Sequence, residues 1–329
     1  MNSTANHLQI KSTEDGINID GSILWLDSKE NGEISFLSSI HLIDKTRKKQ
    51  IIVSQELSGL LELQGKSLSG LVVDYNRQFA IGKYFIELLP AGSGVGDSIF
   101  MLSSEKEKLI YAPKIQLDKI SPFRQLQSHE ADTLILGAYF PYSSEQLTSR
   151  KREKDKLLDL VSAAFKQKKP VVLVCDQYST APEVIELLND NKIKIESHNK
   201  IQKTINYYKQ IGYDITAVNK LSKTHNENTV YLLPNARNVK FDMDHKEFEV
   251  VHVSSIPLES FKPRNIGESH SKIFLPNCSY GKSLKEFINK VKPKKLYFHG
   301  PYAKEYEAAL NINSTSTDSL FPNHLPSLF

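Results

Sequence analysis

Ten histidines and two cysteines are the residues of this 329-residue chain best suited to bind a transition metal. Ten imidazoles suffice for a metal enzyme only if they stand at ligand spacing. No His-Glu-x-x-His motif occurs, and Cys175 and Cys278 are too far apart for a paired-cysteine knuckle. A Gly-x-Ser-x-Gly nucleophile elbow is missing too. Gly92-Ser-Gly94-Val-Gly96 looks like the start of a dinucleotide fingerprint, but its third glycine would have to be Asp97. The segment reads instead as a turn between two strands. Gly281-Lys282-Ser283 ends like a phosphate-binding loop whose first glycine falls on Pro276. A serine cap at a helix start is the simpler account. Three basic runs remain: Lys45-Thr-Arg47-Lys48-Lys49, Arg150-Lys151-Arg152 with Lys154 and Lys156, and Lys290-Val-Lys292-Pro-Lys294-Lys295. They could track nucleic-acid phosphates or be ordinary solvated faces.

Composition narrows the setting. Hydrophobic residues at 40% and charged residues at 24% exclude a disordered or collagenous chain. No apolar run approaches the roughly 20 residues that cross a bilayer. Lys and Arg exceed Asp and Glu by 42 to 38, a mild +4 that permits a polyanionic partner without demanding one. The low cysteine count and the lack of a secretory pattern in Met1–Leu8 give the expectation of a reducing, cytoplasmic location.

The elements that must position these residues fall into two textures. Up to about residue 140 the chain reads as short strands: 23–26, 34–37, 85–89, 98–102, 108–111 and 133–136, bounded by Gly, Pro, Asp, Ser or Asn. Their spacing suggests sheet-on-sheet pairing. From about residue 145 the pattern becomes βα. A helix over 146–168 carries an apolar stripe of Leu157, Leu160, Val161, Ala164 and Phe165. A buried strand over 171–175 and helices over 182–188 and 201–211 follow. Strands at 272–275 and 295–298 flank a helix over 283–291, and 313–329 reads as a loose tail.

Seven segments, in order, resemble the metallo-β-lactamase-fold nucleases of the β-CASP group, above all the short bacterial DNA-ligase-associated exonucleases (the mRNA 3′-end processing exonuclease-like proteins). They are Gly16–Asp27 with Leu-Trp-Leu-Asp, Ser35–Asp44, Glu87–Ser93, Lys108–Lys114, Ala131–Ala138, Phe274–Ser279 and Lys294–Gly300. The resemblance implies an α/β (α+β) protein with a four-layer αββα metallo-β-lactamase domain over 1–144 and 266–329. A β-CASP-like α/β insertion would occupy 145–265.

The resemblance also implies two zinc ions, held by histidines and aspartates, whose bound hydroxide attacks phosphorus. This chain departs from that pattern at most ligand positions. Ser39 stands for the first histidine of the motif, Ile43 for its aspartate and Asp44 for its last histidine. Ser93 stands for the strand-end histidine and Lys114 for the bridging aspartate. Gly137 replaces an acid, and Cys278 the histidine that would protonate a leaving group. His41 and His299 are retained, but the resemblance assigns them to different metals. The expectation is therefore a vestigial pocket of Ser39, His41, Ile43, Asp44, Ser93, Lys114, Cys278 and His299, with no catalytic residue, metal or cofactor.

Lys114 either substitutes its charge for the metals and binds a phosphate without cutting it, or is an exposed lysine that Pro113 turns outward. Zinc is expected only if His41, Asp44, Cys278 and His299 form a rebuilt site; otherwise the two histidines are polar residues satisfied by neighbours. Cys278 is expected to be an inert, partly buried thiol. The leading expectation is a pseudo-enzyme that binds single-stranded nucleic acid, or pairs with an active homologue or a ligase/helicase repair complex, in DNA repair or RNA processing. The candidate contacts are Lys114, Lys151, Arg152, Lys154, Lys156, Lys292, Lys294 and Lys295. The alternatives are an active metal-dependent exonuclease or phosphodiesterase and a protein-interaction scaffold. No membrane partner is expected.

Overall fold

The computed structural model describes residues 8–13, 15–19, 22–29, 33–45, 50–67, 69–143, 149–222, 226–236, 248–256, 271–310 and 316–319. Contacts divide the chain into two compact units, Met1–Lys119 with Arg124–Ser144 and Cys278–Phe329, and Ile120–Phe123 with Glu145–Asn277. Both are mixed α/β.

The first unit opens with a six-stranded sheet of β1 (Ile10–Thr13), β2 (Gly16–Ile19), β3 (Leu24–Leu26), β4 (Ile34–Phe36), β5 (Gln50–Ser54) and β6 (Gly70–Val73), adjacent in chain order. The first two pairings are antiparallel and the last three parallel. A 3-10 turn, Ile40–Lys45, follows β4, and helix α1 (Gln55–Leu63) crosses from β5 to β6. Ser54 caps α1, its Oγ accepting from Leu57 N. The second sheet starts as a meander of β7 (Phe79–Ile81), β8 (Tyr84–Pro90), β9 (Ser98–Ser103) and β10 (Lys108–Ala112), then turns parallel with β11 (Thr133–Gly137).

The second unit is a parallel sheet. Helix α2 (Arg150–Lys166) precedes β12 (Val171–Cys175), and α3 (Thr180–Asp190) leads to β13 (Lys194–Ser197). Helix α4 (Asn199–Gln210), β14 (Asn219–Lys220), β15 (Thr229–Pro234), β16 (Glu249–Ser254) and β17 (Ser271–Phe274) complete it, in the order β14-β13-β15-β12-β16-β17. Its central strands are buried apolar runs, as a sheet covered on both faces requires.

The chain then returns to the first unit through α5 (Lys282–Val291), β18 (Lys295–His299), α6 (Ala303–Ala309) and β19 (Ser316–Ser319). β18 pairs in parallel with β11, and β19 with β18. One face of the second sheet packs on the first through Ile17, Leu26 and Phe36 against Leu88, Phe100 and Tyr111. The rings of Phe36 and Phe100 lie 5.1 Å apart. The other face is covered by α5 and α6, where Leu284, Phe287, Ile288 and Val291 form the i, i+3, i+4, i+7 stripe of α5.

Four details differ from the sequence reading. Helix α2 begins at Arg150 rather than 146, because Ser149 caps it by accepting from Arg152 N. The boundary at 266 moves to Cys278, since β17 completes the parallel sheet beside β16. Gly281, not Ser283, is the N-cap of α5; the Ser283 hydroxyl donates to Tyr280 O instead. Within the expected tail, 316–319 take the open edge of β18 as a strand.

Candidate functional site

The expected pocket residues lie within the first unit: Ser39, His41, Ile43 and Asp44 after β4, Ser93 after β8, Lys114 after β10, His299 at the end of β18 and Cys278 between β17 and α5. The centre of this buried cluster is Asp97, one residue before β9 and at the end of the Gly92–Gly96 turn. Gly96 takes φ +82 there and packs so close to α1 that a Cβ would lie 2.9 Å from Leu57 Cα. Ser93 Oγ donates to Asp97 Oδ2 at 2.7 Å. Lys114 Nζ stands 3.4 Å from the same oxygen, and both residues are only 5% exposed. Burial alone would raise the Asp97 carboxyl, but the Lys114 ammonium, His41 and the Ser93 hydrogen bond outweigh it. Together they hold the group below the usual carboxylate range.

A second cluster adjoins it. Asp27, after β3, adopts φ +47, a conformation that aspartate tolerates better than most residues. Its carboxylate accepts from Ser38 N at 2.7 Å, Ser38 Oγ at 2.6 Å and the Tyr111 hydroxyl at 2.8 Å. Loss of hydration nevertheless pushes it up to about 6. The ring of His299 lies 5.4 Å from that of Tyr111, and its Nδ1 is 3.2 Å from the Tyr139 hydroxyl. Burial lowers the imidazole to about 3, so His299 is neutral in the folded protein. Cys278 is a buried thiol in no disulfide, close enough to Tyr139 to disfavour its ionisation.

The structure thus gathers Ser39, His41, Ser93 and Lys114 around Asp97, and His299 and Cys278 around Tyr139. Ile43 is a buried apolar residue of the 3-10 turn, and the side chain of Asp44 lies outside the described residues. The outward lysine expected from Pro113 is overturned. Gly137 leaves room for the carbonyl of Pro113, which lies 1.7 Å from where a Cβ would be, and the chain then carries Lys114 inward. The sequence reading assigned no site role to Asp27, Asp97, Tyr111 or Tyr139, although Asp27 closes the Leu-Trp-Leu-Asp segment. Asp97 entered it only as the residue that spoils a glycine pattern.

These residues do not fit the dinuclear zinc centre that the resemblance implies. An ammonium stands at the bridging position, paired at 3.4 Å with a buried carboxylate, and would oppose any dication there. Ile43 offers no donor, and Ser93 donates its proton to Asp97 rather than a lone pair to a metal. Among the described residues, no group of three or more His, Cys, Asp or Glu side chains could hold a metal ion.

The expected nucleic-acid contacts divide. Lys114 is enclosed and paired. Lys154 Nζ is 2.9 Å from Glu183 Oε1, an oxygen it shares with Arg150. Lys156 Nζ donates to Lys272 O at 3.1 Å. Lys292 pairs with Glu130 at 2.5 Å and Lys294 with Asp132 at 2.7 Å, both in solvent. Lys295 is half-buried, while Lys151 and Arg152 are exposed in the first turn of α2.

No helix among the described residues is long and apolar enough to cross a membrane. The chain matches no family model and no curated protein. Its fold is similar to the crystal structure of a protein of unknown function from Enterococcus faecalis V583. That match has a TM-score of 0.62 at 10% identity and covers 88% of this chain and 79% of the other.

Proposed function

We propose that the chain is a catalytically degenerate protein of the β-CASP metallo-β-lactamase type, a four-layer αββα domain with an α/β insertion, and that it binds single-stranded nucleic acid without hydrolysing it. The buried Lys114–Asp97 pair supports the first half of this reading, because the resemblance assigns position 114 to the carboxylate that would bridge two zinc ions, and an ammonium there opposes them. The exposed cations Lys151 and Arg152 and the +4 net charge support the second half. As a non-hydrolytic subunit it would act in DNA repair or RNA processing, beside an active nuclease or a ligase/helicase complex.

Two measurements test the reading. Protein purified without chelator is expected to carry well under one zinc per chain and to leave a labelled oligonucleotide intact with zinc or manganese. A ratio near the roughly two metals of a dinuclear site, with cleavage, would sink it. Binding is expected to weaken with salt and to drop about tenfold in the double variant Lys151→Glu, Arg152→Glu, since each reversed cation removes a phosphate contact. An unchanged affinity would remove α2 from the interface. The design spares Lys154, whose carboxylate partner already offsets its charge.

A further inference from the structure

We infer that the Lys114 ammonium is the resident cation of the pocket, tying the strand ends together through Asp97 so that the pocket is complete without a metal ion. The inference depends on the proposed reading only for what the lysine replaces; its geometry stands independently.

One carboxylate collects groups from two separate strand ends. Ser93 follows β8 and Lys114 follows β10, their Oγ and Nζ lying 2.7 and 3.4 Å from Asp97 Oδ2, and His41 of the 3-10 turn adds to the electrostatics that favour the Asp97 carboxylate. A metal ion stabilises such a convergence by taking a ligand from each loop, and here an internal ion pair performs the same cross-linking. The pair sits at the shared end of two strands. β9 and β10 are antiparallel, with Phe100 opposite Tyr111 and Met101 opposite Ile110. Asp97 leads into β9 and Lys114 lies just beyond β10, and their charged groups meet at 3.4 Å. Each is buried enough that losing its partner would leave an uncompensated charge inside the unit. The hydroxyl of Ser93 supplies a further donor to Asp97, and its second contact, Lys114 O at 3.3 Å, returns to the lysine's own backbone.

Thermal melts of the full chain test this. The wild-type midpoint should stay put in EDTA and on addition of zinc. Lys114→Gln and Asp97→Asn should each lower it by about 10 °C, the effect of one uncompensated buried charge in a protein of this size. The double variant, with both charges gone, should lose clearly less than the sum of the two. A midpoint that falls in EDTA or climbs with zinc would overturn the inference, because a metal then holds the pocket. Additive losses would overturn it too, since the two groups would then be uncoupled. Should the single variants fail to fold, recovery of a folded double variant supports the pairing, and its failure overturns it. Oligonucleotide cleavage by wild type, with the midpoint unmoved by EDTA and zinc, would instead refute the proposed function and leave the ion pair standing.

Discussion

Substituting glutamate for Gly137, the acid that the resemblance implies at this strand end, is expected to disrupt the first unit rather than to rebuild an active site. Gly137 closes β11 opposite His299 of β18, and any Cβ there falls 1.7 Å from Pro113 O, 2.7 Å from Pro113 C and 2.7 Å from Tyr139 Cε2. Two of those atoms are backbone and cannot rotate away. Overpacking against side chains costs about 1–3 kcal/mol, and a collision with a carbonyl should exceed the top of that range. Urea denaturation of Gly137→Ala is the direct check, with a loss above about 3 kcal/mol expected even for this smallest side chain. A near-neutral alanine variant would refute the claim. The same geometry links two departures that look separate in sequence. Pro113 immediately precedes Lys114, so the path that brings the lysine to Asp97 runs across the space left by Gly137. A side chain at 137 and an inward Lys114 exclude each other.

Acidification should set His299 and Asp27 against one another. His299 is held neutral down to about 3, whereas an unfolded chain takes up its proton near 6.5. The unfolded state therefore binds the proton first, and this part of the stability is lost as pH falls below 6.5. Asp27 has the opposite sign. Its folded value of about 6 lies above the ordinary 3.8, so the folded state binds the proton first and gains stability as pH falls from about 6. At about 1.36 kcal/mol per unit, His299 costs about 2 kcal/mol between pH 6.5 and 5, and Asp27 returns about 1 kcal/mol. Asp97, depressed by its partners, keeps its stabilising contribution throughout this window and loses it only as pH falls below its ordinary 3.8. Chemical denaturation at a series of pH values should show Asp27→Asn losing stability more steeply than wild type on acidification. His299→Gln should lose it less steeply or gain. Parallel curves for all three proteins would show that neither group titrates as described.

Much of the scaffold is legible in the sequence because it is carried by local apolar patterning. The strands ending near Phe36, Leu89, Tyr111 and Leu136 can be read from short β-branched and aromatic runs, and the stripes of α2 and α5 from their helical period. Edges are less legible. β17 reads locally as a strand over 272–275, but its place beside β16 in the parallel sheet does not, and β19 (Ser316–Ser319) lies in a polar stretch that no apolar pattern announces. The basic runs show the limit most plainly. Lys154, Lys292 and Lys294 read as free cations until the fold brings Glu183, Glu130 and Asp132 beside them.

At the site, sequence alone determines which donors exist: Ile43 has none, Ser93 has a hydroxyl and position 114 carries a cation. It does not determine where that cation points. Pro113 suggests an outward turn, and only the tertiary structure overrules it. Asp97 leads into β9 and Lys114 follows β10, so the end of that strand pair brings the two within 3.4 Å, and burial makes an unpaired charge at either position too costly to keep. The pairing therefore belongs to the folded sheet and to no segment of the chain read by itself.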